Sequence, residues 1–355
     1  MDLSLSVERS RIVGDASALN ACAAAALGSG FGQIIGAGNV VVTGRDGKGF
    51  SRLLKRAMTC GIMENGVEVL DTRLVPRSVT RYCVSDTSSD FGVYVGFDWR
   101  RPGTLAVAFF DGKGALLGQG MLEEILKKMG CLERTASARE VGDIVFFSDA
   151  GPRYEAEILK AVDVKAISAA RPKVMLDCSN GAVSVTLPQI LRKLDCQIVA
   201  SHDNPAAYLG SRPVLADESL MADFARKVKE AGASLGIALD PCGESARFVD
   251  DEGSVLSQRD LGLLLVENAG VKRMGVRREL APEFPAGRVG VKVLEDDDLA
   301  LPSELDVALG HDDACYLRGG QKRWWDALPV ALKLVEIVSK GKRISQLRRA
   351  AAQVR

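Results

Sequence analysis

Four loops of this 355-residue chain carry side chains suited to chemistry. Gly44-Arg45-Asp46-Gly47-Lys48-Gly49 joins a flexible backbone to two cations, Arg45 and Lys48, just before a helical pattern. That combination suits a phosphate held at a helix N-terminus. It lacks the G-K-[ST] ending of a P-loop, and a glycine-rich turn with solvated charges accounts for the same residues. Asp98-Trp99-Arg100-Arg101-Pro102 sets a carboxylate, an aromatic plate and two guanidiniums together, which fits an anionic or sugar-like ligand, or a salt-bridged surface loop. Asp240-Pro241-Cys242-Gly243-Glu244 offers carboxylates Asp240 and Glu244 to a hard cation. Gly310-His311-Asp312-Asp313 holds metal-ligating residue types, but reads first as a solvated turn.

Composition narrows the partners. Lys+Arg and Asp+Glu both number 46, so the formal net charge is zero. No global field draws the chain to nucleic acid or to an anionic membrane. The eight cysteines form no C-x-x-C pair, and the histidines are only His202 and His311. Neither a disulfide framework nor a zinc knuckle is expected, and a multi-histidine metal centre is excluded. Reduced, buried cysteines fit a cytoplasmic protein. No basic-then-apolar leader opens the sequence. Residues 16–44 carry no charge and are long enough to span a bilayer. Their alanines, glycines and scattered polar residues instead predict a buried small-residue helix, then a loop and a strand, so no membrane segment is expected.

The elements that position the four loops follow a repeating pattern. Strands are predicted over residues 39–43, 67–71, 91–95 and 105–110, with helices over 51–64, capped by Ser51, and 121–129. The rhythm restarts with strands at 173–177, 196–200 and 234–239, helices at 183–194 and 218–231, and a hairpin over 247–256 turning at Asp251-Glu252-Gly253. It restarts again with helices at 261–269 and 326–339 and strands at 289–294 and 306–309. The fold class is α/β: three tandem α/β/α domains with mixed, mainly parallel sheets, over residues 1–148, 149–254 and 255–355. Ligands of such sheets bind at the carboxyl ends of strands, where all four loops lie.

In this order the segments resemble the α-D-phosphohexomutase superfamily, the phosphoglucomutases and phosphomannomutases, from about Val40 to Leu347. Val40-Val-Val-Thr-Gly-Arg-Asp46, Gly66-Val-Glu-Val-Leu-Asp71 and Leu74-Val-Pro76 are similar to its first domain. Gly92-Val-Tyr-Val-Gly-Phe-Asp-Trp-Arg-Arg-Pro102 through Phe109-Phe-Asp111 aligns without a gap on its phosphoserine segment, G-V-M-I-T-A-S-H-N-P-P through F-F-D. Asp177-Cys-Ser-Asn-Gly-Ala182 is similar to D-C-A-N-G-A, and residues 232–240 to the approach to its magnesium loop. Residues 327–337 resemble the helix after its sugar loop. The resemblance implies three family-like domains, with the fourth expected to be absent.

The chemistry departs from the pattern. The family's phosphoserine falls on Asp98, its histidine neighbour on Trp99 and the lysine of N-G-I-K-F-F on Ala108. The magnesium loop D-G-D-A-D-R reads Asp240-Pro241-Cys242-Gly243-Glu244-Ser245, and the sugar loop E-x-S-G-H reads His311-Asp312-Asp313-Ala314-Cys315. The G-T-S-G-I-R-G signature has no counterpart. The family's reaction needs a phosphoryl group stored on a hydroxyl, a cation to neutralise it and a clamp for the second phosphate.

The expectation is therefore a catalytically inactive homologue serving as a binding or regulatory partner, through another protein or self-association, with at most weak binding of a sugar phosphate. Asp98 would be a fixed negative charge paired with Lys48 or Arg100. Arg45, Lys48, Arg100 and Arg101 would be its anion contacts. Asp240 and Glu244 would be a weak Mg²⁺ site, and no other cofactor is expected. The alternative is a phosphomutase or phosphotransferase of altered chemistry, with Asp98 as nucleophile and a divalent cation on Asp240 and Glu244. A third reading is a structural subunit of a hetero-oligomer. Arg323-Trp324-Trp325, beside Arg318 and Lys322, is either a partner surface or a pair of indoles packed under the following helix.

Overall fold

Apolar, β-branched runs alternating with amphipathic helices assemble here into three sheets. The computed structural model describes residues 5–129, 136–137, 139–206, 213–284, 289–294, 301–318 and 324–352. The first sheet has seven strands, in spatial order Ser6–Glu8, Arg11–Asp15, Thr104–Asp111, Phe91–Phe97, Val40–Arg45, Glu68–Leu74 and Ile144–Phe146. From Phe91–Phe97 onward its pairs are parallel; the pairs before it are antiparallel. The second sheet runs Ala246–Val249, Leu235–Leu239, Lys173–Asp177, Gln197–Ser201, and the third Gly290–Leu294, Arg273–Arg277, Val307–Leu309, Cys315–Leu317. Each of these adds one antiparallel edge strand to a parallel set. The fold is the mixed α/β class read from the sequence. The chain forms two compact units, one reaching to Tyr154 and including Pro205 and Ala206, the other holding both four-stranded sheets.

The uncharged segment becomes the Ala21–Ile35 helix, packed against Gly49–Met63. Glycine permits the contact: a Cβ on Gly28 would lie 2.1 Å from the Met58 carbonyl oxygen, and one on Gly61 2.1 Å from that of Ala25. Small residues here serve a close helix crossing inside the core, where Leu27 and Phe31 are fully buried. No helix among the described residues is long and apolar enough to cross a membrane.

Two local expectations are corrected. The helix predicted over 183–194 splits into a 3₁₀ turn, Ala182–Val185, and an α-helix, Leu187–Lys193. Pro188 lacks an N–H and so starts the second helix afresh. Ser51 is not an N-cap, because its helix begins at Gly49 behind Lys48 with no side-chain cap. Several short elements were not anticipated, among them helix Arg77–Asp86 and strands Ile144–Phe146, Arg273–Arg277 and Cys315–Leu317. The three strands hold three to five residues each, too few side chains for a period to show.

Candidate functional site

Strand Phe91–Phe97 delivers Asp98 into a tight loop at the foot of a hairpin. The Asp98 N–H donates to the Thr104 carbonyl at 2.8 Å, and the Arg101 N–H to the Asp98 carbonyl at 3.1 Å. The Asp98 side chain is only 2% exposed, and its residue 4%. Its Oδ1 accepts the Arg100 N–H at 3.1 Å and its Oδ2 accepts Arg101 Nη2 at 3.3 Å. Burial pushes this carboxyl up, but Arg11, the Arg100 N–H and the charges of Arg100 and Arg101 together outweigh it and hold Asp98 below the usual carboxylate range. Asp98 is thus a buried anion neutralised by the chain's own guanidiniums. Arg101 also reaches Glu8 at 2.5 Å, and Arg100 lies 4.6 Å from the centroid of the buried Trp99 ring. Asp98 pairs with Arg101, and the N–H and charge of Arg100, one of the two expected partners, act on it as well.

The glycine-rich loop is filled from within. Asp46 is buried, its Oδ1 accepting the Lys48 N–H at 2.9 Å and its Oδ2 the Phe97 N–H at 2.8 Å. The loop's own carboxylate thus takes up the Lys48 N–H ahead of the helix. Burial pushes Asp46 up, against the bonds from Phe97 and Lys48. Arg45 Nη1 donates to the Asp46 carbonyl at 2.6 Å, and Lys48 Nζ to that of Pro205 at 3.2 Å. Burial lowers the pKa of both cations. The structure brings Arg100 and Arg101 to Asp98 and turns Arg45 and Lys48 to backbone oxygens.

In the second unit, Asp240 ends strand Leu235–Leu239, and its Oδ1 accepts the N–H groups of Gly243 at 2.5 Å and Glu244 at 2.9 Å. The carboxylate closes its own turn. Among the described residues no group of three or more His, Cys, Asp or Glu could hold a metal ion. Mg²⁺ demands near-octahedral oxygen ligands, so the Asp240–Glu244 turn does not fit one. Titration calorimetry should show no tight, stoichiometric Mg²⁺ binding; tight binding lost in Asp240→Ala would overturn this reading.

Beside that turn stands a couple the sequence did not reveal. Asp177 Oδ2 meets His202 Nδ1 at 2.5 Å and accepts Ser201 Oγ at 2.8 Å, while Oδ1 accepts the Ser179 N–H at 3.0 Å. The residues become neighbours only because strands Lys173–Asp177 and Gln197–Ser201 pair in register, Asp177 opposite Ser201. The adjacent Cys178 thiol is pushed up to about 12, by burial first and then by Asp177 and Asp203, and is no nucleophile.

His311–Asp313 form a short 3₁₀ turn with Asp312 and Asp313 at left-handed φ of 52° and 58°. Arg277 Nη1 lies 3.3 Å from His311 Nδ1, and Arg247 Nε 3.8 Å from Asp313 Oδ2. Gln258 Nε2 donates to the Gly310 carbonyl at 2.9 Å. Guanidiniums beside the turn oppose a cation there and support the plain-turn reading.

The partner surface expected at Arg323-Trp324-Trp325 is corrected. Trp324 is 2% and Trp325 6% exposed, and Trp325 packs with Leu301, Leu305 and Tyr316 in an apolar cluster. Burying each indole removes more apolar area from water than an exposed pair would. Arg323 lies outside the described residues.

Known proteins agree with this architecture. Profiles of the phosphoglucomutase/phosphomannomutase α/β/α domains I and II match residues 9–134 and 152–253, more than half of the chain. A phosphoglucomutase/phosphomannomutase of Thermococcus kodakarensis is 30% identical over 238 residues, 66% of this chain and 52% of that protein. A phosphoglucosamine mutase of Corynebacterium jeikeium is 28% identical over 291 residues, 78% of this chain and 64% of that protein. A putative phosphomannomutase structure from Thermus thermophilus shares the fold at a TM-score of 0.81 and 16% identity, covering 99% of this chain and 84% of that one. The chain spans about half the length of the curated relatives it matches. It belongs to the phosphoglucomutase/phosphomannomutase family of the α-D-phosphohexomutase superfamily.

Proposed function

We propose that this chain is a non-catalytic phosphohexomutase homologue that acts as a binding or regulatory partner of another protein, with at most weak affinity for a sugar phosphate. The observation that carries the reading is Asp98. At the position of the family's phosphoryl-accepting hydroxyl stands a buried carboxylate whose charge is already answered by Arg11, Arg100 and Arg101. A nucleophile must meet an incoming phosphorus, and a carboxylate enclosed by its own cations is held as a static ion pair instead. The glycine-rich loop and the Asp240 turn support the same conclusion, since both oxygens of Asp46 and Oδ1 of Asp240 accept the chain's own N–H groups. The described cysteines are thiols rather than disulfides, which supports a reducing, cytoplasmic setting.

The test is turnover. Purified chain supplied with glucose, mannose or glucosamine 1-phosphate and Mg²⁺ should form no 6-phosphate above the rate without protein. Isomerisation at enzyme-like rates would establish the altered-chemistry alternative.

A further inference from the structure

Among the described residues, strand Ile144–Phe146 forms one edge of the seven-stranded sheet and is paired on one side only, with Glu68–Leu74. Its side chains are apolar and exposed: Ile144 43%, Val145 53% and Phe146 48%. With Val141 they make up half of the large exposed apolar residues in the described chain. Natural edges are blunted by short length, charge, proline or a bulge; this edge is short, three residues, but carries no charge, proline or bulge within it. An apolar edge left open in this way marks a contact surface.

The backbone phase shows what the edge can pair with. The Asp143 carbonyl accepts the Val69 N–H at 2.9 Å, and the Phe147 N–H donates to the Asp71 carbonyl at 3.0 Å. Alternate residues of a strand point their polar groups to opposite sides, so Ile144 and Phe146 turn theirs outward. With Val145 on a twofold axis, an antiparallel copy would set Ile144 opposite Phe146 on both sides of that axis. Outward-facing residues opposite each other form the narrow, doubly hydrogen-bonded pair of an antiparallel ladder. The Ile144 N–H, which meets its neighbour's Asp143 Oδ1 at 2.7 Å, would exchange that exposed bond for a ladder bond.

Charge selects the same arrangement. Glu68 and Asp143 stand exposed at the start of the edge, and exposed Arg73 stands at its end, its guanidinium 3.6 Å from the Phe146 ring centroid. An antiparallel copy brings the acidic end of each edge to the basic end of the other, whereas a parallel copy would bring like charges together. We propose that Ile144–Phe146 pairs with the same strand of a second copy of this chain, antiparallel across a twofold axis, joining two seven-stranded sheets into one. Such an interface is isologous and closes on itself as a dimer.

Sedimentation velocity of the full chain across the micromolar range tests this. The wild type should be a reversible dimer, and Val145→Lys should raise the dissociation constant at least about tenfold, placing a desolvated cation against its symmetry mate. Arg73→Glu should also weaken the dimer, and adding Glu68→Arg should restore it. All three positions lie at the surface, so the far-UV circular dichroism should stay unchanged and report that each variant is folded. A wild type monomeric throughout, a dimer indifferent to Val145→Lys, or a charge swap that fails to restore association would each overturn the proposal.

Discussion

Asp98→Ala should lower the unfolding free energy by about 3 kcal/mol, because removing one partner of a buried ion pair strands the other charge in a poorly solvated place. The stranded group is Arg11 above all, since it is 5% exposed and its charge is what chiefly counters the burial of Asp98. Asp98→Asn should cost less, as the amide oxygen still accepts the Arg100 N–H. The effect has a defined pH dependence. Asp98 is held below its ordinary value in the folded chain. Its stabilisation is therefore complete above the unfolded carboxyl pKa of about 3.9 and fades as the pH falls through the folded value. Asp46 and Asp313 are pushed the other way by burial and gain from acid. The difference between wild type and Asp98→Asn isolates the first effect from the second. That difference, measured by urea unfolding, should hold steady from pH 7 to about pH 5 and shrink below about pH 4. A difference that grows in acid would show that the folded chain holds Asp98 above, not below, its unfolded carboxyl value.

Trp325→Ala should cost about 3–5 kcal/mol, the range for deleting a large buried ring. The indole fits closely: a Cβ on Gly310 would lie 2.6 Å from its Cη2 atom. Gly310→Ala should therefore push against the same ring and cost about 1–3 kcal/mol by overpacking. Thermal and urea unfolding read both. A loss under about 0.5 kcal/mol for Trp325→Ala would be the behaviour of a surface residue and would contradict the burial.

The two tryptophans also show where sequence reading stops. Adjacent indoles beside cations fit an interface and a core about equally well, and the choice depends on which strands and loops arrive from elsewhere in the chain. Leu301, Leu305 and Tyr316 decide it, and none of them can be assigned to Trp325 by spacing. The α/β class was legible because buried parallel strands such as Val40–Arg45 and Leu235–Leu239 are runs of apolar residues that no other element explains. The loop position of Asp98 was legible from the apolar run of strand Phe91–Phe97 before it. Its state was not, because its foremost countercharge, Arg11, lies on a strand far away in sequence, and Glu8 there shares Arg101 with it. The same holds for the Asp177–His202 couple, which depends on strand register. Asp46 illustrates a third kind of gap. Its residue type was on view, but only the folded loop shows that its carboxylate turns inward to the Lys48 and Phe97 N–H groups.

The central claim is that Asp98 is a fixed charge and not a phosphoryl acceptor. Intact-protein mass spectrometry after rapid quenching, on chain incubated with glucose 1,6-bisphosphate and Mg²⁺, tests it most directly. The account predicts the unmodified mass at every time point, in the wild type and in Asp98→Asn alike. A phosphoryl adduct on the wild type that is lost in Asp98→Asn, and released by hydroxylamine as an acyl phosphate is, would contradict it.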